Sequence, residues 1–364
     1  MRIAQVAPLY ESVPPKLYGG TERVVSYLTE ALVKGGHDVT LFASGDSETS
    51  ARLIPCCAKA LRLNNYACKD QLAHHFVMLE EVLERADQFD IIHFHVDYMH
   101  FPLCKLSGLV HISTLHGRLD SPDLVPLYRK YKNMPLTSIS LNQRKPLSWA
   151  NWLGNVYHGL PVGLLPLGDG RGKYLAFLGR ISPEKRVDRA IEIATKLGMP
   201  LKIAAKVDPA DRSYYEREIK PLLNTPNVEF VGEIDEQQKG EFLGNAYAYL
   251  FPIDWPEPFG LTMIESMACG TPTIAFNCGS VPEIITNGVS GFIVDTMDEA
   301  VNAVQQAATF DRAACRAEFM ERFSAPQMAQ QYAKLYEATV AAKSGIPDAV
   351  SGDPDSEIDS LLTL

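Results

Sequence analysis

The chain has 364 residues, of which 46% are hydrophobic and 21% charged, enough apolar side chain to fold two domains and too much for an intrinsically disordered chain. Its formal charge of −10 at pH 7 argues against a duplex nucleic-acid binder, which needs clustered Lys and Arg to neutralise phosphates. The charge is uneven: residues 1–165 hold 16 basic and 15 acidic side chains and residues 166–364 hold 18 and 29, so net charges of about +1 and −11 mark two units.

The N-terminal apolar run meets Gln5 and Pro8 too early for the core of a signal peptide and reads as a first buried strand over residues 2–7. A loop with Pro14, Pro15, Gly19 and Gly20 follows. Then Val24, Val25, Leu28 and Leu32 recur at helical spacing, with Thr21 as cap and Gly35-Gly36 as stop. Further strands are expected at Val39–Ala43, Ile91–Val96, Val110–Leu115, Thr137–Leu141 and Asn155–Tyr157, with a helix at Gln71–Ala86. The longest stretch free of Asp, Glu, Lys and Arg is 146–168, but Gly154, Gly159, Pro161, Gly163 and Pro166 break it. It reads as an interdomain connection.

The alternation restarts with strands at Tyr174–Leu178, Leu201–Ala205, Val228–Val231, Tyr247–Phe251, Thr273–Phe276 and Gly291–Val294. Between them lie helical patterns at 184–197, 211–223, 235–245 and 260–268. The fold class is therefore α/β, with two Rossmann-like domains facing each other across a cleft lined by the C-terminal ends of their strands. The expected division is 1–165, 166–325, a helix at 326–343 that packs back on the first domain, and a disordered tail at 344–364 with five acids and no bases. Seven cysteines without a CxxC pair argue against a disulfide framework and a structural zinc site, and favour a reducing cytoplasm. No G-x-G-x-x-G follows the first strand, which excludes an NAD dehydrogenase.

Arg180 and Lys185, with four residues between them, stand where a strand ends and a helix opens. Two cations there suit a diphosphate, the guanidinium as a fork and the ammonium as a mobile charge, although a solvated basic helix start has the same pattern. Downstream, Glu257 lies in a loop and Glu265 on a helix eight residues later, flanking Phe259-Gly260-Leu261. A helix start offers free N–H groups to an anion, and a carboxylate on either side can accept sugar and ribose hydroxyls. The preference of acids for helix N-termini accounts for part of Glu257 and little of Glu265. His116 closes a strand. His93 and His95 share a strand face like a metal pair, but no third ligand accompanies them, and no metal is assigned. Glu22 either caps its own helix or reaches an acceptor.

The order Arg180, Lys185, Glu257-x7-Glu265, with Gly19-Gly20-Thr21-Glu22 near the start and Thr114-Leu115-His116-Gly117 midway, resembles the family 4 retaining glycosyltransferases of GT-B fold, also called glycosyl transferases group 1. The likeness spans roughly residues 1–340 and is most specific from Glu257 through Gly270-Thr271-Pro272 and Gly279-Ser280-Val281-Pro282-Glu283.

That resemblance implies a nucleotide diphosphate sugar as donor, UDP-glucose first and GDP-mannose second. By it, Arg180 and Lys185 grip the diphosphate, Glu265 the ribose, Glu257 a sugar hydroxyl, and the Phe259, Gly260 and Leu261 amides sugar and phosphate. Gly19 and Gly20 close over the phosphate, Gly232 and Ile234 flank the base, and His116 donates to the transferred sugar. It further implies front-face transfer with retention, no cofactor and no metal, to a saccharide or lipid-linked acceptor in polysaccharide or glycoconjugate synthesis. One departure is Ala204-Ala205-Lys206-Val207, where the family often has glycine. The basic stretch Arg118–Lys145 is either a weak peripheral contact with the inner face of the plasma membrane or a solvated charged face. A nucleotide-sugar epimerase of similar fold and a non-catalytic nucleotide-sugar binder are the alternatives; a phosphorylase would need a longer chain and a cofactor lysine.

Overall fold

Two parallel sheets organise the chain in a computed structural model that describes residues 1–16, 19–62 and 68–344. The first contains β1 (Arg2–Val6), β2 (Asp38–Ser44), β3 (Arg52–Cys57), β4 (Ile91–Phe94), β5 (His111–Thr114), β6 (Leu136–Ser138) and β7 (Trp152–Asn155), in the order β3-β2-β1-β4-β5-β6-β7. The second contains β8 (Leu175–Arg180), β9 (Leu201–Lys206), β10 (Val228–Gly232), β11 (Ala248–Phe251), β12 (Thr273–Phe276) and β13 (Gly291–Val294), in the order β10-β9-β8-β11-β12-β13. Strand order reverses between β1 and β4 and again between β8 and β11, the positions where open α/β sheets leave a crevice beyond their C-terminal ends.

Helices α1 (Gly20–Lys34), α2 (Gln71–Glu84), α3 (Phe101–Ser107) and α4 (Leu124–Lys130) belong to the first unit. The second carries α5 (Val187–Leu197), α6 (Arg212–Tyr214), α7 (Glu236–Gly244), α8 (Leu261–Ala268), α9 (Val281–Ile284), α10 (Met297–Gln306) and α11 (Arg312–Arg322). Each sheet is covered by apolar helix faces, as in α5, where Val187, Ala190, Ile191, Ile193 and Ala194 are buried. None of the described helices is long and apolar enough to cross a membrane.

The last helix, α12 (Ala325–Ser344), returns to the first domain and packs on α1. Its Tyr336 hydroxyl accepts from Gln5 Nε2 at 3.0 Å and meets His93 Nδ1 at 2.7 Å, while Tyr332 bonds Thr114 Oγ1 at 2.9 Å. All five side chains are buried. Where the chain passes between domains, Leu160 N–H donates to Phe323 O at 2.9 Å and Ala325 N–H to Leu160 O at 2.8 Å.

Several expected boundaries move. Gly19 stands at the N-cap of α1, so Thr21 lies inside the helix and caps nothing. The strand β3 was not expected, because Arg-Leu-Ile-Pro-Cys-Cys has a proline; it is a half-exposed edge strand, the place where a missing N–H is tolerated. The segment 137–141 is strand only to Ser138, and the strand placed at 155–157 is β7, ending at Asn155. Residues 146–168 are thus not only a connection, since β7 lies within them. The helix expected at 211–223 breaks into α6, a π-turn at Tyr215–Ile219 and a 3₁₀ turn after Pro221. Of the acidic tail, only Ser344 lies within the described residues.

Tyr336→Phe strands the Gln5 amide and the His93 ring in a buried site. It is expected to lower unfolding free energy by about 1–3 kcal/mol, read by urea denaturation; an unchanged midpoint would mean that α12 is held by packing alone.

Candidate active site

Between the two sheets lies a cleft of about 1250 Å³. Arg180 reaches it because it is the last residue of β8. Its guanidinium meets Glu184 Oε1 at 3.1 Å, Asp208 Oδ2 at 3.4 Å and Asp211 Oδ2 at 3.8 Å. Lys185 follows in a 3₁₀ turn, Pro183–Lys185, and α5 begins two residues later at Val187. Its ammonium pairs with Glu257 Oε2, which also accepts from Trp255 Nε1 at 3.0 Å, and lies 5.4 Å from the Trp255 ring centroid. Both cations read from the sequence are therefore already matched by carboxylates.

Two glycines shape the Glu257 loop. Gly260 precedes α8 with φ +84°, and an added Cβ would sit 2.7 Å from Met263 Cε and 3.2 Å from Phe251 Cζ. Gly279, at φ +62°, would put a Cβ 2.3 Å from the Glu257 backbone nitrogen. The segment 277–280 thus presses directly on the loop that carries Glu257, and Ser280 N–H donates to Glu257 O at 3.0 Å. On α8, Glu265 is 2% exposed. Its Oε1 accepts from Lys239 Nζ at 2.6 Å, and its buried Oε2 has no partner. The open acceptor and the free N–H groups of the first turn of α8 belong to one helix.

From the first domain come Gly19, Gly20 and His116. An added Cβ on Gly19 would meet Pro15 Cβ at 2.8 Å, and one on Gly20 would lie 3.8 Å from Leu261 Cδ1, so the two rims face each other where α1 and α8 begin. His116, itself partly exposed to the cleft, ends a chain of hydrogen bonds that runs into the buried sheet. Gln5 gives its amide hydrogen to Tyr336, so its Oε1 accepts from His95 Nε2 at 2.8 Å; His95 Nδ1 must then accept from His116 Nε2 at 2.9 Å. This tautomer leaves His116 Nδ1, which has no partner, as an acceptor. With this tautomer the ring's N–H is engaged by His95, whereas the resemblance implies that it donates to the transferred sugar.

Of the expected residues, Gly19, Gly20, His116, Arg180, Lys185, Ile234, Glu257, Phe259, Gly260, Leu261 and Glu265 line the cleft. Gly232 does not. Its φ of +85° turns the chain at the end of β10 so that Glu233 and Ile234 face inward instead. Glu22 is buried on the cleft wall in the first turn of α1, where its carboxyl accepts backbone hydrogen bonds from its own N–H and that of Glu11, and burial pushes it up. Lys206, the departure at the end of β9, reaches the same wall and pairs with Asp208 at 3.1 Å.

Sequence reasoning missed Lys239, His158, the partnership of His95 with His116 and the contact of Arg23 and Tyr27 on α1 with Glu236 on α7. Lys239 was accessible in principle, one turn into the helix after the expected base loop. The Glu236 contact was not, because it joins residues more than two hundred positions apart.

The sequence models for Glycosyltransferase Family 4 and for Glycosyl transferases group 1 match residues 18–155 and 167–317, consecutively and over most of the chain. The chain belongs to the family 4 glycosyltransferases. This glycosyltransferase is 24% identical over 343 residues to a glycogen synthase of Mycobacterium tuberculosis, covering 80% of this chain and 81% of that one. Its fold matches sucrose-phosphate synthase of Thermosynechococcus elongatus, at TM-score 0.75, 21% identity and coverage of 94% and 100%. It also matches the Anabaena protein Alr3699/HepE crystallised with UDP-glucose, at TM-score 0.70, 16% identity and coverage of 93% and 100%. The architecture is GT-B, two Rossmann-like domains.

Burial also sets a pH dependence for this glycosyltransferase. It holds His116 down at about 3 and depresses His93, His95 and His158 as well. A histidine depressed on folding binds fewer protons in the folded state, so its stabilisation is complete above about pH 6.5 and is lost as pH falls toward the folded value. Unfolding free energy is expected to fall below pH 6.5 with a slope of up to about 1.4 kcal/mol per pH unit for each such ring. Denaturant titrations from pH 7.5 to 5 check this, and His116→Gln should remove one ring's share of the slope.

Proposed function

We propose that this glycosyltransferase moves a hexosyl group from a nucleotide diphosphate sugar to a hydroxyl of a saccharide or lipid-linked acceptor, with retention at the anomeric carbon. UDP-glucose is the first donor and GDP-mannose the second. The observation that carries the reading is Glu265: a buried carboxylate on α8 with one oxygen held by Lys239 and the other open, suited to accept ribose hydroxyls while the helix start receives phosphate. The names of the relatives favour a glucosyl donor, since one is a glycogen synthase and one similar fold was crystallised with UDP-glucose.

In this mechanism the donor diphosphate replaces carboxylates around Arg180 and Lys185. When Lys185 turns from Glu257 to phosphate, Glu257 is released to accept a sugar hydroxyl. His116, whose Nδ1 is an acceptor, receives a hydroxyl hydrogen rather than giving one. The acceptor oxygen approaches C1 on the face of the leaving group. The C1–oxygen bond to the diphosphate breaks as the bond to the acceptor forms, and the acceptor proton passes to a diphosphate oxygen. Arg180, Lys185 and the start of α8 stabilise the growing charge, so protein cations do the work of a divalent metal. We place the reaction in the cytoplasm. The basic stretch Arg118–Lys145, where Arg129 lies 6.0 Å from the half-exposed Trp149 ring, is the candidate for weak membrane contact.

The deciding experiment is a melting-temperature screen followed by mass detection of products. UDP and UDP-glucose should raise the melting temperature, and UDP-glucose should be consumed only when an acceptor is present. A shift with GDP alone would replace the donor, and consumption without acceptor would favour an epimerase.

Arg180→Ala and Lys185→Ala should each lower kcat/KM by about 30- to 1000-fold, equivalent to ~2–4 kcal/mol of transition-state stabilisation, and turnover should survive EDTA. Turnover abolished by EDTA and restored by magnesium or manganese would refute the metal-independent step.

Gly20→Val places a branched side chain against Leu261 where the rims face each other. It should reduce turnover more than affinity for free UDP, measured by calorimetry beside initial rates. Equal losses would show that the first-domain glycine acts in nucleotide binding rather than closure.

A further inference from the structure

Away from the cleft, His100, Cys104 and His111 come together at the opposite end of the first sheet. Each offers one ligand atom, all three atoms lie within 4.8 Å of one another, and all three side chains are buried. Sequence order creates the cluster simply. His100 is the N-cap of α3 and Cys104 lies one turn later, its N–H donating to His100 O at 2.9 Å; after Gly108 turns the chain at φ +63°, His111 opens β5.

The hydrogen bonds of the two rings are those expected of metal ligands. His111 Nδ1 lies 3.1 Å from Leu109 O, and a carbonyl only accepts, so Nδ1 carries the proton and Nε2 presents a lone pair. That Nε2 is buried and has no partner. His100 Nε2 lies 2.6 Å from Ser113 Oγ, and its Nδ1 is likewise buried without a partner. In each ring one nitrogen is fixed by the protein and the other left open, the arrangement by which outer groups orient ligating histidines. Phe94 holds the His100 ring further, stacked at 3.9 Å between centroids. The Cys104 thiol makes no hydrogen bond among the described residues. Two buried, unpartnered ring nitrogens and one thiol sharing a point are poorly satisfied by a packed core alone.

We propose that His100 Nδ1, Cys104 Sγ and His111 Nε2 bind one zinc-class divalent cation, with water as the fourth ligand. Mixed imidazole and thiolate donors suit zinc, and tetrahedral bonds of about 2.0–2.3 Å require ligand atoms about 3.3–3.6 Å apart, so the three side chains draw together by roughly an ångström on binding. Cys104 gives its thiol proton to solvent as the sulfur–metal bond forms. The ion clamps α3 to β5, the strand that runs on to His116. His116 lies five residues, roughly 16 Å, further along, so the site is separate from glycosyl transfer.

The test uses the full chain, stripped with chelator, reloaded with zinc chloride, desalted and analysed for metal. The parent protein should retain one zinc per chain, as should the Cys56→Ser/Cys57→Ser double variant, which removes the half-buried thiols that could bind zinc adventitiously. Cys104→Ala and His111→Gln should retain less than a tenth. Zinc should raise the parent's melting temperature by at least about 3 °C, and by nothing in those two variants. Should either variant fail to fold, cobalt substitution of the parent decides: a thiolate-to-cobalt charge-transfer band that disappears on adding zinc supports the site. No retained zinc, zinc unaffected by Cys104→Ala, or cobalt without a thiolate band would overturn it. UDP binding, measured in parallel on stripped protein, reports independently on the transferase reading.

Discussion

The two strands of backbone that cross between the domains are hydrogen-bonded to each other. Leu160 donates to Phe323 and accepts from Ala325, and Gly159 comes so close that an added Cβ would lie 2.5 Å from Ser324 O. Through this junction α12 reaches the first sheet, where Tyr332 and Tyr336 tie it to Thr114, His93 and Gln5. The relative placement of the sheets, and therefore the width of the cleft, depends on it. Further contacts bridge the domains: Arg23 and Tyr27 on Glu236, and the Leu141 and Asn142 N–H groups on the Glu283 carboxylate, both at 2.6 Å. Each can open as a local exchange with water, whereas the paired crossing moves only by bending the backbone.

Within the cleft, charge is balanced before any ligand arrives. Arg180 has three carboxylates, Lys185 has Glu257 and Lys239 has Glu265. An unpaired buried charge is costly, so each of these cations is held in place by an acid. In the proposed reaction a donor diphosphate would take over Lys185 from Glu257 and leave that acid to receive a hydroxyl. Glu265 differs from Glu257 in this respect: its second oxygen is already open, because burial on α8 keeps other donors away.

The first domain contributes hydrogen-bond direction beside its own charged lining residues. Gln5, His95 and His116 form one line in which each proton position fixes the next. Neutral rings are directional groups, and their polarity is decided at the far end of the line by Tyr336, a residue of the last helix. The outer end of the molecule thereby sets which way a cleft side chain can bond.

Much of this was legible in one dimension. Hydrophobic alternation located both sheets, and the run from Gly179 to Lys185 and from Pro256 to Glu265 marked the strand end and helix start that face the cleft, because those roles depend on local backbone chemistry. The edge strand β3 was hidden by Pro55, which suits an edge only once neighbours are known. The partners of each charge, the inward turn at Gly232, the acceptor state of His116 and the meeting of His100 and Cys104 with His111 were decided by tertiary structure. Each depends on which groups share a buried volume, and a hydrogen bond or ion pair between distant residues leaves no periodic trace along the chain that makes it.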